Sequence, residues 1–455
     1  MSGRPNLMTP ELKANPYPLY AELRRTAPVC QVDPGGYWAV TRFEDVMFVF
    51  KNPQLFSSEG FGRATNPPWL GGNPFSESMI AMDPPRHGRL RSLVSRAFGN
   101  AAMVRLEPRV RAFAQEVVAA LPLGRPVDMV SAFALPVPAS VLCLLLGLDP
   151  SLRKELKHWA DQLTTVTALG PEDTERQGPV RQAIVDARRY FSQVVEERRL
   201  RPGDDMVSEL LRAQVDGEAL TEDELMAFLF LLLVGGLETT ANLLGLSLLV
   251  LMERPELLAR LRADRSLLPR FIDEVLRFEA PAQGALRMTT REVELGGVRL
   301  PERAWVVALM GSANRDETHF PDADRFDLDR PGPQHMPFGH GAHFCIGAQL
   351  ARLEARLALD ALLDRCGGLS PVPKPVVWHR SMVVRGPASL HAVVHPARAS
   401  VQRGAHPGAG EAQGIHAAAA GIGDGQVTAG GEQPYHEAAT PQRGGAQVCQ
   451  RPRAE

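Results

Sequence analysis

Residues 338–347 read FGHGAHFCIG: a lone cysteine, Cys345, among three glycines and two histidines, opened by Phe338 and followed directly by a long helical pattern. A thiolate near a helix start sits where unpaired backbone N–H groups and the helix dipole favour negative charge, so Cys345 is expected to stay ionised and to bind a metal strongly. The glycines let the backbone come close to a flat cofactor. On the order of one chain in a thousand would show this spacing of Phe, Gly, Cys and Gly by chance. Two other readings of the loop exist: a buried free thiol, and a zinc site built from His335, His340, His343 and Cys345. Zinc sites bring short-spaced ligand pairs from two segments, and the next cysteine, Cys366, stands alone beyond a helix's worth of chain.

The rest of the chain sets bounds on what surrounds this loop. With 455 residues, 44% hydrophobic and 22% charged, it is long enough to bury a large core. A formal charge of −2 and a pI near 6.7 give no reason to expect a nucleic-acid partner. The five cysteines (Cys30, Cys143, Cys345, Cys366, Cys449) form no short-spaced framework, which suits a reducing compartment and predicts a cytoplasmic protein. The N-terminus lacks the apolar core of a signal peptide. The longest uncharged apolar run, Leu225 to Leu237, is too short to span a bilayer, so no membrane anchor is expected.

Apolar residues at three- and four-residue spacing predict helices over 104–121, 152–168, 178–200, 207–214, 222–251, 255–264, 267–279 and 347–365. Alternating or β-rich stretches at 37–42, 293–300 and 304–310 predict small sheets, so the fold is expected to be mainly α with small β-sheets, one large domain over 1–397. Proline and glycine clusters at 59–75 and 329–341 predict long irregular loops. After about Ala397 the chain turns rich in Ala, Gly and Gln. Residues 398–455 are expected to be a disordered tail without catalytic role.

Three further constellations carry chemistry. Glu274 and Arg277 stand three apart and share a helix face. In the helix after DPP at 83–85, His87 and Arg91 lie four apart on one side, so two cationic donors face one partner. The apolar helix at 224–250 is broken by GGLETT at 235–240, where each glycine costs about 1 kcal/mol relative to alanine. Such a violation serves either a site or a kink in which Thr239 bonds back to a carbonyl.

Taken in order, these motifs resemble the cytochrome P-450 family over about residues 10 to 395: Phe338-x-x-Gly341-x-x-x-Cys345-x-Gly347, Glu274-x-x-Arg277, and Gly235 to Thr240 as the oxygen-binding groove. The resemblance implies heme b with Cys345 as axial thiolate, and Phe338, Gly339 and Gly347 in the loop beneath it. It implies heme propionates bonded by His87, Arg91, Arg287 and His343. It also implies a buried Glu274–Arg277 network with Arg325 bracing the loop, and Glu238 with Thr239 as an acid–alcohol pair delivering protons. The implied reaction inserts one oxygen atom of O2 into a lipophilic substrate, held by Leu232, Gly235, Ala285, Leu286 and Val383. Gly235 stands where alanine is frequent and Leu237 where a polar residue is frequent. No flavin or nucleotide fingerprint is present, so electrons are expected from a ferredoxin-type donor with its NAD(P)H reductase, docking near Arg86, Arg89 and Arg96. Two alternatives remain: an isomerase, dehydratase or peroxygenase on the same fold, which often lacks the acid–alcohol pair, and a non-catalytic heme sensor.

Overall fold

The computed structural model describes residues 3–215, 217–331 and 335–397; the segment 398–455, expected to form a tail, lies outside them. A capping box starts the central helix. Thr221 Oγ1 accepts from the Glu224 N–H at 3.2 Å and Glu224 accepts from the Thr221 N–H at 3.0 Å. From there Glu222–Glu253 runs as one helix of 32 residues, about 48 Å long. It stops where Pro255 opens the next helix. Its length and composition would suit a membrane span, which the uncharged run Leu225 to Leu237 alone would not, but its most apolar stretch is 72% buried inside the protein.

Two separate cores grip this helix. Leu225, Phe228, Leu229, Leu233 and Leu237 pack with the helices Pro136–Leu146, Arg153–Thr165 and Thr174–Leu200. Leu243, Leu244, Leu246, Leu248 and Leu251 pack instead with Asn100–Ala119, Leu268–Phe278 and Ala348–Arg365. Each leucine buried in this way contributes about 1.5–3 kcal/mol. Near the end of the first grip, Gly235 and Gly236 are exposed. The break in the apolar pattern is therefore a window in one face of the helix, while Leu237, apolar where the resemblance favours a polar residue, is fully buried in the first core.

The small sheets form as the alternation predicts. The five-stranded sheet runs in the order Val29–Val32, Tyr37–Val40, Trp305–Ala308, Ala285–Thr289, Phe56–Ser57, with Tyr37–Val40 parallel to Trp305–Ala308 and the other pairs antiparallel. Its register sets Arg287 opposite Val306. In the hairpin Val293–Leu295/Val298–Leu300, Gly296 and Gly297 take φ of 57° and 76°, the left-handed pair that a two-residue hairpin turn demands.

Two expectations need correction. The stretch 59–75 is not one irregular loop: Glu59–Ala64 is helical and a 3₁₀ turn forms at Pro74–Glu77. Its glycines serve close packing, since a Cβ on Gly62 would meet the Ser76 carbonyl at 2.8 Å and one on Gly60 would meet Met288 at 3.1 Å. The helices Tyr17–Thr26 and Phe43–Lys51 also went unpredicted, because ten-residue amphipathic segments barely complete the period that reveals them.

Candidate functional site

Two glycines shape the cysteine loop. Gly339 and Gly341 have φ of 72° and 71°, and a Cβ on Gly341 would come within 2.8 Å of the Phe50 carbonyl. Cys345 donates its N–H to the Phe338 carbonyl at 3.0 Å, pinching the loop shut ahead of the helix Ala348–Arg365. The Arg352 guanidinium lies 4.7 Å from the Phe338 ring centroid and holds that ring in place. Cys345 sits deep among protein atoms, yet its side chain is exposed, so it opens onto an interior space. Burial pushes its thiol up, while a hydrogen bond from Gly347 and the charges of Arg91 and Arg352 pull it down. A bound metal cation would hold the sulfur ionised outright.

Basic side chains gather beside the loop, with Asp83 nearby as a partial counterweight to Arg287 and His87. The rings of His87 and His343 lie 4.2 Å apart. Burial and the nearby Arg287 and His87 push His343 down to about 3, and burial pushes Arg287 down to about 10. Burial and Arg91 likewise lower His87. Among the described residues, neither Arg91 nor Arg287 forms an ion pair. Buried charges are normally paired. Two arginines and two histidines converging this way call for an anionic ligand with more than one acidic group, and the two propionates of a heme fit that demand, as the accessible Cys345 fits its iron. The zinc reading does not fit. No group of three or more His, Cys, Asp or Glu among the described residues is arranged to hold a metal, and His335 is spent on the Asp273 carbonyl at 2.9 Å.

Below the loop, Arg277 bonds both oxygens of Glu274 at 2.8 Å and the carbonyls of Asn314, Ala323 and Arg325 at 3.0, 2.8 and 3.0 Å. Glu274 in turn accepts from the Asp327 N–H at 2.9 Å and from Arg330 Nε at 3.2 Å. The side chain expected here, Arg325, is absent from the network: it gives only its carbonyl, while its guanidinium, 66% exposed, pairs with Asp327 at 2.7 Å. Arg330 takes the place assigned to it. The 313–330 stretch has no period, so nothing in its spacing says which arginine turns inward.

In the central helix, Thr239 Oγ1 donates to the Gly235 carbonyl at 2.8 Å, the back-bond that loosens a helix locally. Glu238 beside it is only partly buried. A Cβ on Gly235 would meet nothing within 4 Å. Gly235→Ala is therefore expected to leave the thermal midpoint unchanged or raised, since alanine favours the helix by about 1 kcal/mol. The same methyl should alter affinity for bulky ligands about tenfold in optical titrations. A lowered midpoint would show that the window is filled.

The other expected pocket residues divide. Leu232 is buried in the core just ahead of the window. Strand alternation puts Ala285 and Arg287 on one face of Ala285–Thr289 and Leu286 on the other. There Leu286 packs against the cluster of Tyr17, Tyr20, Val307 and Leu309, as does Val383. Leu286 thus does not share a pocket face with Ala285. The expected basic docking patch also loses a member, because Arg89 is neutralised by Glu218 and by Glu224, the latter at 2.8 Å. Arg86 lines a polar cavity of about 460 Å³ with Glu59, Glu77 and Asp83. A residue that no motif pointed to, His379, stands 3.5 Å from Glu238.

Known proteins resemble this chain in sequence and fold. The cytochrome P450 family model matches residues 31–388. The 6-deoxyerythronolide B hydroxylase of Saccharopolyspora erythraea is 36% identical over 85% of this chain and 98% of its own length. Among solved structures, the cytochrome P450 CYP109Q5 from Chondromyces apiculatus superposes with a TM-score of 0.79 at 40% identity, covering 87% of this chain and all (100%) of that one. CYP109E1 from Bacillus megaterium in complex with testosterone gives 0.75 at 34%, covering 84% and 99%. With a cysteine loop, a cluster of arginines and histidines beside it and a central helix whose apolar pattern is interrupted all in place, the chain belongs to the cytochrome P450 family and is a heme-thiolate monooxygenase with heme b as its cofactor.

Proposed function

We propose that this enzyme oxidises an uncharged, largely apolar molecule of the size of 6-deoxyerythronolide B or testosterone, with Glu238 and Thr239 handling the protons. The window at Gly235 and Gly236 carries this reading. Both glycines are exposed in the middle of a buried helix, and no Cβ there meets a neighbour within 4 Å. Leu232 and Ala285, the remaining expected pocket residues, are both apolar, which favours a lipophilic ligand. When bound, the heme supplies the iron at which O2 is activated, with the thiolate adding electron density.

The chain's own residues do the rest. His87, Arg91, Arg287 and His343 hold the propionates, and the Glu274–Arg277 network keeps the cysteine loop rigid. Thr239 offers its hydroxyl at the window, and Glu238 next to it supplies the proton that the hydroxyl passes on. The pair gives the peroxygenase and isomerase alternatives no support. Electrons come from a separate ferredoxin-type donor and its NAD(P)H reductase. Residues 1–397 form the catalytic domain, and the enzyme works in the cytoplasm.

Incubating the enzyme with a plant-type ferredoxin, its reductase, NADPH and either 6-deoxyerythronolide B or testosterone tests this reading. Product carrying one added oxygen atom is expected. In Thr239→Ala, product per NADPH should fall about tenfold as peroxide rises. Conversion driven by peroxide alone, unaffected by Thr239→Ala, would favour the peroxygenase reading instead.

A further inference from the structure

The acid of the proton-delivering pair has a partner outside the helix. Glu238 Oε1 lies 3.5 Å from His379 Nδ1, and the two side chains are 21% and 25% exposed. His379 follows the strand Val377–Trp378 and is fixed by its N–H, which donates to the Gly386 carbonyl at 3.1 Å. Lys157 and Asp161 pair with each other one turn apart on the helix Arg153–Thr165, which packs on the central helix, and are 29% and 49% exposed. Both are near enough to act on the His379 ring: burial and Lys157 lower its proton affinity, while Glu238 and Asp161 raise it. Arg380, the next residue in the chain, is exposed. Exposure therefore rises step by step from Glu238 through His379 to Asp161, which makes a titratable line from the window in the central helix towards solvent.

We propose that His379 is a positioning residue for proton delivery, holding the Glu238 carboxyl group in place and linking it to solvent within the field of the Lys157–Asp161 pair, so that a proton lost from Glu238 is replaced through the imidazole. This rests on the reading of Glu238 as the proton-supplying acid. When Glu238 gives its proton to Thr239, Nε2 of His379 takes up a proton from solvent and the resulting imidazolium passes its Nδ1–H to the carboxylate. The ring returns from its Nε2–H to its Nδ1–H form by exchange with solvent, so each turn consumes one solvent proton and restores both groups. Among the described residues Nε2 has no hydrogen-bond partner, and Asp161 stabilises the transient imidazolium. At 3.5 Å the Nδ1 contact is at ion-pair reach and needs only a small side-chain movement to become a hydrogen bond.

The test combines two measurements on the holoenzyme. In the first, histidine resonances of ¹³C-histidine-labelled, carbon-monoxide-bound ferrous protein are titrated, with His379 assigned by its loss in His379→Gln. Its midpoint should fall by about half a pH unit or more in Glu238→Gln and in Asp161→Asn, and rise in Lys157→Gln. In the second, substrate-free O2 consumption driven by a plant-type ferredoxin and its reductase is followed against pH in H2O and D2O. His379→Gln should slow it about tenfold, enlarge the solvent isotope effect and remove the inflection at the His379 midpoint. A His379 midpoint indifferent to Glu238→Gln overturns the proposal even if His379→Gln does not fold. A slowed Glu238→Gln beside a normal His379→Gln overturns the proposal alone. An unslowed Glu238→Gln removes the reading of Glu238 and the proposal with it.

Discussion

Cys345→Ala will lack the strongly red-shifted Soret band that the reduced wild-type protein shows under carbon monoxide, and its oxygenation will be undetectable. None of the other described thiols is placed to substitute. Cys143 and Cys366 are buried, with burial pushing both thiols up to about 11, and Cys30 lies half-buried in the strand Val29–Val32 at one edge of the five-stranded sheet. Only Cys345, among the described cysteines, opens onto the space that the central helix faces. Its nitrogen is already committed to the Phe338 carbonyl, so the loop keeps its shape in the variant and the lost sulfur is the main change. A colourless variant and a pigmented one with a histidine-type spectrum would both fit; an unaltered red-shifted band would place the ligand elsewhere.

Glu274→Ala should cost about 3–5 kcal/mol, the usual penalty for leaving a buried charge unpaired, and should yield protein that does not retain heme. The side chains of Glu274 and Arg277 are only 6% and 2% exposed, and Glu274 also holds Arg330 and the Asp327 amide. Urea unfolding together with the heme-to-protein absorbance ratio would measure both effects. Replacing both partners by apolar residues, Glu274→Leu with Arg277→Met, should be milder than Glu274→Ala because no charge is stranded. Arg325→Ala should leave stability almost unchanged, because its guanidinium bonds only at the surface. A stable, heme-loaded Glu274→Ala protein would mean that the pair does not brace the loop.

The contrast between Arg325 and Arg330 shows where sequence runs out. Cys345, its glycines and the GGLETT break are legible because each violates its surroundings: a thiol among glycines, polar groups inside an apolar helix. His87 and Arg91 are legible because helical spacing puts them on one side. Arg330 and His379 stand on irregular segments, where no periodicity fixes a side chain's direction, and only the folded chain brings them to Glu274 and Glu238. Leu286 was misread for a simpler reason. Once Ala285–Thr289 is a strand, alternation forbids Ala285 and Leu286 from sharing a face, but the strand's starting residue had not been assigned.

The central helix behaves mechanically like a shaft clamped in two bearings, with one face left open where the first bearing ends. Stability is stored in the clamps and ligand fit is decided at the open face, so the two properties can change independently. Side chains at 235 and 236 can be exchanged to suit a different guest without drawing on the leucines that hold the shaft. Within the second clamp the same freedom vanishes: a Cβ on Gly245 would come within 2.6 Å of Pro387. A scaffold divided in this way can diversify its chemistry quickly while its architecture stays fixed.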